Sequence, residues 1–232
     1  MKALLFDVQG TATDFYRPVL RALQAVSANR CPGKDWGDFV NRWRAMYFEA
    51  VDDIQQSHDD WVSVHAVYRT ALDELLMADG ITVFSDDECE TLADAWQQLE
   101  PWPDVVEGVQ RLNTRFVTAT LSNADVSAVV RISRNGSIPW TAIFAAEMFG
   151  TFKPNPQIYL TAARYLGLPP KEIMMVASHK YDIRAAGALG FQTAFIARPE
   201  EYGPTVTADT AFEAEFDINA KDFLDLADQL KC

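Results

Sequence analysis

Apolar residues follow two rhythms along the chain. The opening Ala3-Leu4-Leu5-Phe6 is apolar at every position and closes on Asp7, with Gly10 three residues later. A run without alternation predicts a strand covered on both faces, ended here by a turn. From Phe15 to about Leu99 apolar positions recur every three or four residues: Val19, Leu20, Leu23 and Val26, then Phe39, Trp43, Met46 and Tyr47, then Val64, Val67, Ala71 and Leu75. This spacing predicts about four helices. The last begins at Ser85, whose hydroxyl ahead of Asp86, Asp87 and Glu88 suits an N-cap.

Beyond Pro101 and Pro103 the pattern alternates: helix Val105 to Leu112, strand Phe116 to Leu121, helix Val126 to Ile132, strand Ile143 to Ala146. It continues with helix Gln157 to Tyr165, strand Ile173 to Ala177, helix Tyr181 to Leu189 and strand Thr193 to Ala197. Such alternation predicts an α/β fold, a doubly wound parallel sheet that gathers ligands at the carboxyl ends of its strands. The helical block then reads as an insertion at 15–99, and residues 1–14 and 100–232 as the sheet domain. There is no internal repeat and no glycine-rich phosphate loop.

A chain of 232 residues, 49 % hydrophobic and 12 % aromatic, can bury a full core. Its net charge of −13 repels phosphate backbones and anionic lipid, and no basic patch offsets it, which argues against nucleic-acid or membrane partners. Cys31, Cys89 and Cys232 are odd in number and far apart, a pattern of neither a zinc site nor a disulfide framework, and they point to a reducing cytoplasm. No secretory leader and no run of about 18 apolar residues is read from the sequence.

The chemistry collects at the predicted strand ends. Asp7 and the Gly10-Thr11 turn follow the first strand, Ser122-Asn123 follows Leu121, Lys153-Pro154 precedes a helix, and Ser178 with Asp182 follows Ala177. Each of these alone has an ordinary structural reading as a turn, a cap or a surface lysine. Together, in this order, they resemble the four motifs of the haloacid dehalogenase superfamily, with the helical block in the position of its cap domain and the sheet as its Rossmann-like core.

Position 9 selects among branches of that superfamily. Its phosphatases keep an acid two residues after the nucleophile and a pair of acids in the fourth motif that help to hold magnesium, whereas here Gln9 and the single Asp182 stand. Two carboxylates and a neutral amide would hold a hard cation weakly. The resemblance extends to the 2-haloacid dehalogenase branch through Trp43-Arg44, Leu121-Ser122-Asn123, Lys153-Pro154 followed by Tyr159, and Ser178 with Asp182. It implies a metal- and cofactor-independent hydrolase, in which a carboxylate displaces a leaving group from C2 of a small carboxylate through an aspartyl ester. An (S)-2-haloacid is the first expected substrate.

The implied roles follow. Asp7 is the nucleophile, Lys153 keeps it ionised, and Arg44 faces the departing halide. Asp182 and Ser178 serve the hydrolytic water, and Thr11 and Ser122, with Val8, Gln9, Asn123, Tyr159 and His179 around them, form the substrate pocket. Tyr159 is expected to hydrogen-bond Lys153 or Asp7. His179 is either a base or a loop filler, and Phe48, Trp61 and Tyr181 are either an apolar wall or core. His58 and His65 show no partner pattern.

Typical members of the branch carry an aromatic residue at position 9, a serine at 177 and an asparagine at 179; this chain has Gln9, Ala177 and His179. The amide at position 9 opens a second reading, hydrolysis of a strained ring such as azetidine-2-carboxylate. A magnesium phosphatase and a non-catalytic binding protein on this scaffold complete the alternatives. The resemblance also implies a homodimer.

Overall fold

A computed structural model describes residues 1–57 and 61–232; His58 lies outside the described residues. The chain forms β1 (Ala3–Phe6), β2 (Thr13–Asp14), the helices α1 (Tyr16–Ser27), α2 (Trp36–Ser57), α3 (Val64–Ala78) and α4 (Asp86–Asp94), and then β3 (Glu100–Pro101). There follow α5 (Val105–Leu112), β4 (Val117–Thr120), α6 (Val126–Asn135), α7 (Pro156–Leu166), β5 (Ile173–Ala177), α8 (Lys180–Ala188), β6 (Gln192–Ile196), β7 (Ile218–Ala220) and α9 (Phe223–Gln229).

Five strands make one parallel sheet in the order β4-β1-β5-β6-β7. Because β1 has β4 on one side and β5 on the other, strand order reverses at β1, the place where open α/β sheets carry their ligand crevice. Apolar continuity in the central strands reflects cover on both faces. Ala3 and Leu5 of β1 join the cluster shared with the helical block, while Leu4 and Phe6 join the cluster packed by α5 and α9. Ile173, Met175 and Ala177 of β5 divide from Met174 and Val176 in the same way.

The four helices of the block arise where the spacing predicts them. Ser85 caps α4 by accepting from Glu88 N, and the Glu88 carboxylate accepts from Ser85 N in return, a complete capping box. At the ends of the block β2 pairs antiparallel with β3, so the chain leaves and re-enters the sheet region through one short ribbon.

The strand expected at Ile143 to Ala146 does not form. Residues 142 and 145 make only isolated bridges to Ala119 and Ser122, and Ala146–Phe149 is a 3-10 turn. The reason lies in Thr120, whose hydroxyl donates to Phe144 O (2.8 Å) and accepts from Phe144 N (3.0 Å), taking both backbone groups that a ladder would use. The ribbon, β7 and α9 are elements that the apolar rhythm did not predict.

Candidate active site

Asp7 leaves the sheet at the carboxyl end of β1, with its N–H still bonded to Val176 O (3.0 Å). The turn after it closes on Val8, whose carbonyl accepts from Ala12 N, Thr13 N and Thr13 Oγ1. Gly10 sits at φ +92°, a conformation that favours glycine, and its carbonyl accepts from Trp102 Nε1 (2.9 Å). The turn brings Thr11 Oγ1 within 2.7 Å of Asp7 Oδ2, to which it donates, while Ser178 N donates to Thr11 Oγ1 (2.9 Å).

On the other carboxylate oxygen lies Lys153. Its Nζ donates to Asp7 Oδ1 (3.0 Å) and also to Asp182 Oδ2, so one ammonium joins two buried carboxylates. Asn123 fixes the lysine backbone from both sides, accepting from Lys153 N (2.7 Å) and donating to Lys153 O (3.0 Å). Tyr159 OH donates to Asp182 Oδ1 at 2.6 Å. Burial alone raises the Asp7 pKa, but the Lys153 ammonium, the His179 ring and the Thr11 hydroxyl outweigh it and hold Asp7 far below the ordinary carboxylate range. For Asp182 burial prevails over the attraction of Lys153, and its pKa is raised.

Arg44 reaches the site from α2, buried although it carries a full charge. Its Nη1 donates to Gln9 Oε1 (2.8 Å) and to Tyr68 OH, and its guanidinium lies 4.5 to 5.9 Å from the ring centres of Phe48, Tyr47, Phe15 and Trp96. Cation–π contacts of this kind hold a desolvated guanidinium that has no paired carboxylate among the described residues. Gln9 thus turns its oxygen to Arg44 and Tyr68 (3.2 Å), an internal contact rather than a group held open for a polar substrate.

His179 occupies the last side. Its Nδ1 is 3.2 Å from Asp7 Oδ2 and its Nε2 2.7 Å from Glu201 Oε1. Burial disfavours the imidazolium, but Glu201 and Asp7 outweigh it and push the His179 pKa up to about 10.

Asp7, Gln9, Arg44, Ser122, Asn123, Lys153 and His179 line one small cavity with Tyr47, Phe48 and Tyr181. Its volume is about 10 Å³, room for roughly one water molecule. Two buried polar atoms in this lining, Ser122 Oγ and Arg44 Nε, have no hydrogen-bond partner among the described residues. Among the described residues no group of three His, Cys, Asp or Glu side chains is placed to hold a metal ion, and the two carboxylates nearest the cavity share Lys153 instead.

Residues 1–190 match the model of the haloacid dehalogenase-like hydrolase family. The chain belongs to that family. It is 33 % identical to (S)-2-haloacid dehalogenase 1 of Pseudomonas sp. (strain CBS-3) over 208 residues, covering 87 % of this chain and 88 % of the relative. The solved L-2-haloacid dehalogenase PA0810 superposes with a TM-score of 0.92 at 37 % identity, over 99 % of each chain. The defluorinating L-2-haloacid dehalogenase Rha0230 does so with a TM-score of 0.94 at 38 % identity, over 100 % of this chain and 96 % of that one.

Within this haloacid dehalogenase-like chain, several expected positions stand behind the cavity rather than in it. Thr11, expected to grip substrate, donates its hydroxyl hydrogen bond to Asp7. Ser178 hydrogen-bonds Thr11, and Val8 is a core residue whose carbonyl closes the turn. Tyr159 bonds Asp182, not Lys153 or Asp7. Phe48 and Tyr181 do line the cavity, whereas Trp61 stacks on Phe152 (4.6 Å) away from it. His65 does have partners: its ring meets Glu90 and Gln97, and its N–H bonds Asp125. Reading the sequence missed Tyr47, Tyr68 and Glu201. The two tyrosines carry helix-periodic spacing that marks them as core, and Glu201 sits in a loop with no motif around it.

Proposed function

We propose that this chain is a metal-independent (S)-2-haloacid dehalogenase. The observation that carries the reading is the cavity lining. Asp7 is held ionised by Lys153, and Ser122 Oγ and Arg44 Nε are the two buried polar atoms of that lining left without partners among the described residues. A hydroxyl donor fits a substrate carboxylate, and a guanidinium N–H fits a departing halide. In the first step an Asp7 oxygen attacks C2, the carbon–halogen bond breaks, and the halide leaves with the electron pair toward Arg44. Water then cleaves the resulting ester at the Asp7 carbonyl carbon and releases the 2-hydroxy acid. The relatives and solved structures at 33 to 38 % identity, all named as 2-haloacid dehalogenases, support the same reading.

Asp182 keeps Lys153 between the two acids, and its raised pKa makes it the more basic of the pair, suited to take a proton from the hydrolytic water. Ser178 steadies Thr11, and Gln9 orients Arg44. We read residues 15–99 as a cap domain over a core of 1–14 and 100–232, supported by the ribbon at its two ends. A homodimer is proposed from the family resemblance. A cytoplasmic location is proposed from the free thiols of Cys31, Cys89 and Cys232. Among the described residues no helix is long and apolar enough to cross a membrane.

Chloride release from (S)-2-chloropropionate in the presence of a chelator tests the function, with Asp7→Asn expected to abolish it. Multiple turnovers in oxygen-18 water should place label in the Asp7 carboxylate. Full turnover by Asp7→Ala, or chelator-sensitive release of phosphate from phosphate esters instead of chloride, would overturn it.

A further inference from the structure

The two oxygens of Asp7 are not equivalent. Oδ1 meets one donor, Lys153 Nζ, whereas Oδ2 meets two, Thr11 Oγ1 at 2.7 Å and His179 Nδ1 at 3.2 Å. The less encumbered Oδ1 keeps a lone pair for attack on carbon, and Oδ2 then becomes the carbonyl oxygen of the ester. When water adds to that ester, negative charge develops on Oδ2, where the Thr11 hydroxyl and the His179 ring already point.

We infer that Thr11 and His179 form the oxyanion hole for hydrolysis of the aspartyl ester, and that Glu201 is the positioning residue that keeps the imidazole ring as a charged donor. The inference rests on the dehalogenase reading above and assigns His179 the role of donor rather than base.

The surroundings are built for this. Glu201 Oε1 accepts from the far ring nitrogen at 2.7 Å, which leaves Nδ1 as the nitrogen facing Asp7. Glu201 is itself held. Its N–H bonds Arg198 O (3.2 Å), and Arg198 is clamped by two 2.8 Å bonds to Asp104 and a third to Thr11 O. Gly10 completes the arrangement, because a methyl group there would overlap Glu201 Oε1 and crowd the His179 ring. The other groups facing the ring are Tyr181, stacked with ring centres 6.0 Å apart, and Phe48 from α2 at 6.4 Å. Arg44 and Tyr202 interact with Glu201 from beyond it, and Lys153 flanks Asp7 on the opposite side. With carboxylates on both nitrogens the ring holds its proton at neutral pH.

The step balances as follows. Water oxygen bonds to Asp7 Cγ, its proton passes to Asp182, and the carbonyl electron pair moves onto Oδ2. As Oδ2 re-forms the double bond, the Cγ–Oδ1 bond breaks. The alkoxide leaves with that pair and takes a proton back from Asp182 through the Lys153 ammonium that bridges them. Asp7 then loses its acid proton to solvent, the proton that accompanies the halide.

Single-turnover kinetics with (S)-2-chloropropionate tests the proposal, with chloride release following alkylation and mass spectrometry of the Asp7 peptide following the ester. In His179→Gln, ester hydrolysis is expected to slow about 10²- to 10³-fold, the usual effect of losing one oxyanion donor. Alkylation is expected to slow less than tenfold, so that one equivalent of chloride appears in a burst and the ester accumulates. The wild-type protein supplies a reading that needs no folded variant. Ester hydrolysis should fall as pH rises through the ring's titration, between about 6.5 and 10 once the Asp7 charge is gone, and Glu201→Gln should move that limb down by about one unit or more. Hydrolysis that rises with pH over this range, or a His179→Gln protein that accumulates no ester, would overturn the donor role while leaving the dehalogenase reading intact. Absence of chloride release from the wild type would sink that reading and this inference together.

Discussion

Replacing Lys153 by Met removes the one cation between Asp7 and Asp182 while keeping the length and apolar stem of the side chain. Both carboxylates are buried, and the ammonium contacts each of them. Breaking a buried pair by removing one partner destabilises by about 3–5 kcal/mol. At 2–4 °C per kcal/mol for a chain of this size, Tm at pH 7 should fall by about 6–20 °C. The chain can relieve part of that loss by binding a proton at Asp182, whose pKa burial already raises and which no longer has the ammonium to oppose it, whereas Asp7 keeps the His179 ring and the Thr11 hydroxyl.

The sign of the pH dependence therefore reverses. In the wild type the depressed Asp7 pKa contributes stability that is present above the unfolded value and is lost only as pH falls through the folded one, well into acid. In Lys153→Met the further raised Asp182 pKa contributes stability that is present in acid and lost as pH rises through it. Tm of the variant should thus climb as pH drops from 9 to 5, where the Asp7 contribution in the wild type is flat. Asp7 loses its strongest attraction too, so its pKa rises from the depressed value, and chloride release should fall most in acid and recover as pH rises. Differential scanning fluorimetry and a chloride-release pH profile measure both. A variant whose Tm and rate show the wild-type pH dependence would refute the claim that Lys153 holds Asp7 charged.

Arg44→Lys loses the planar group that Gln9, Tyr68 and the surrounding rings hold, and a steady-state assay should show KM for (S)-2-chloropropionate up about 10-fold or more with kcat also reduced; unchanged constants would mean the guanidinium does not meet substrate or halide. Gly10→Ala forces a side chain into φ +92° and against Glu201, so chemical denaturation should register a loss of about 1–3 kcal/mol. Wild-type stability would show that the turn relaxes freely. Tyr159→Phe removes the hydrogen bond to Asp182 and leaves that buried carboxylate half-satisfied, a loss of about 1–3 kcal/mol with KM little changed; a rise in KM alone would place the phenol against substrate instead.

Much of the candidate site was legible because several of its members sit at strand ends that local patterning marks. Apolar runs locate β1, β4 and β5, and the residues just past them, Asp7, Ser122 and Ser178, inherit a position at one edge of the sheet. Helix periodicity likewise placed Trp43 and Arg44 on α2, and the Ser85 cap announced α4. Those features depend on backbone hydrogen bonding and on which face is wet, both of which act over a few residues. The strand that failed at Ile143 to Ala146 marks the limit, since a single threonine hydroxyl on a neighbouring strand took its backbone partners.

What the order of residues could not disclose is which side chains pair. Gln9 reads as an open amide until Arg44 and Tyr68 arrive from two different helices. His179 reads as a filler or a base until Glu201, delivered by the Arg198–Asp104 clamp, meets its far nitrogen. Charge state inside the site is likewise a tertiary property, because burial and the neighbours it imposes set each pKa jointly. The chain's own letters thus determined the scaffold, the helical block and the candidate nucleophile with its lysine. Only the folded arrangement decided which acid has its pKa lowered and which raised, which ring is pushed toward its protonated form, and which cavity-lining groups lack a partner among the described residues, because those outcomes depend on distances of a few ångström between residues remote in sequence.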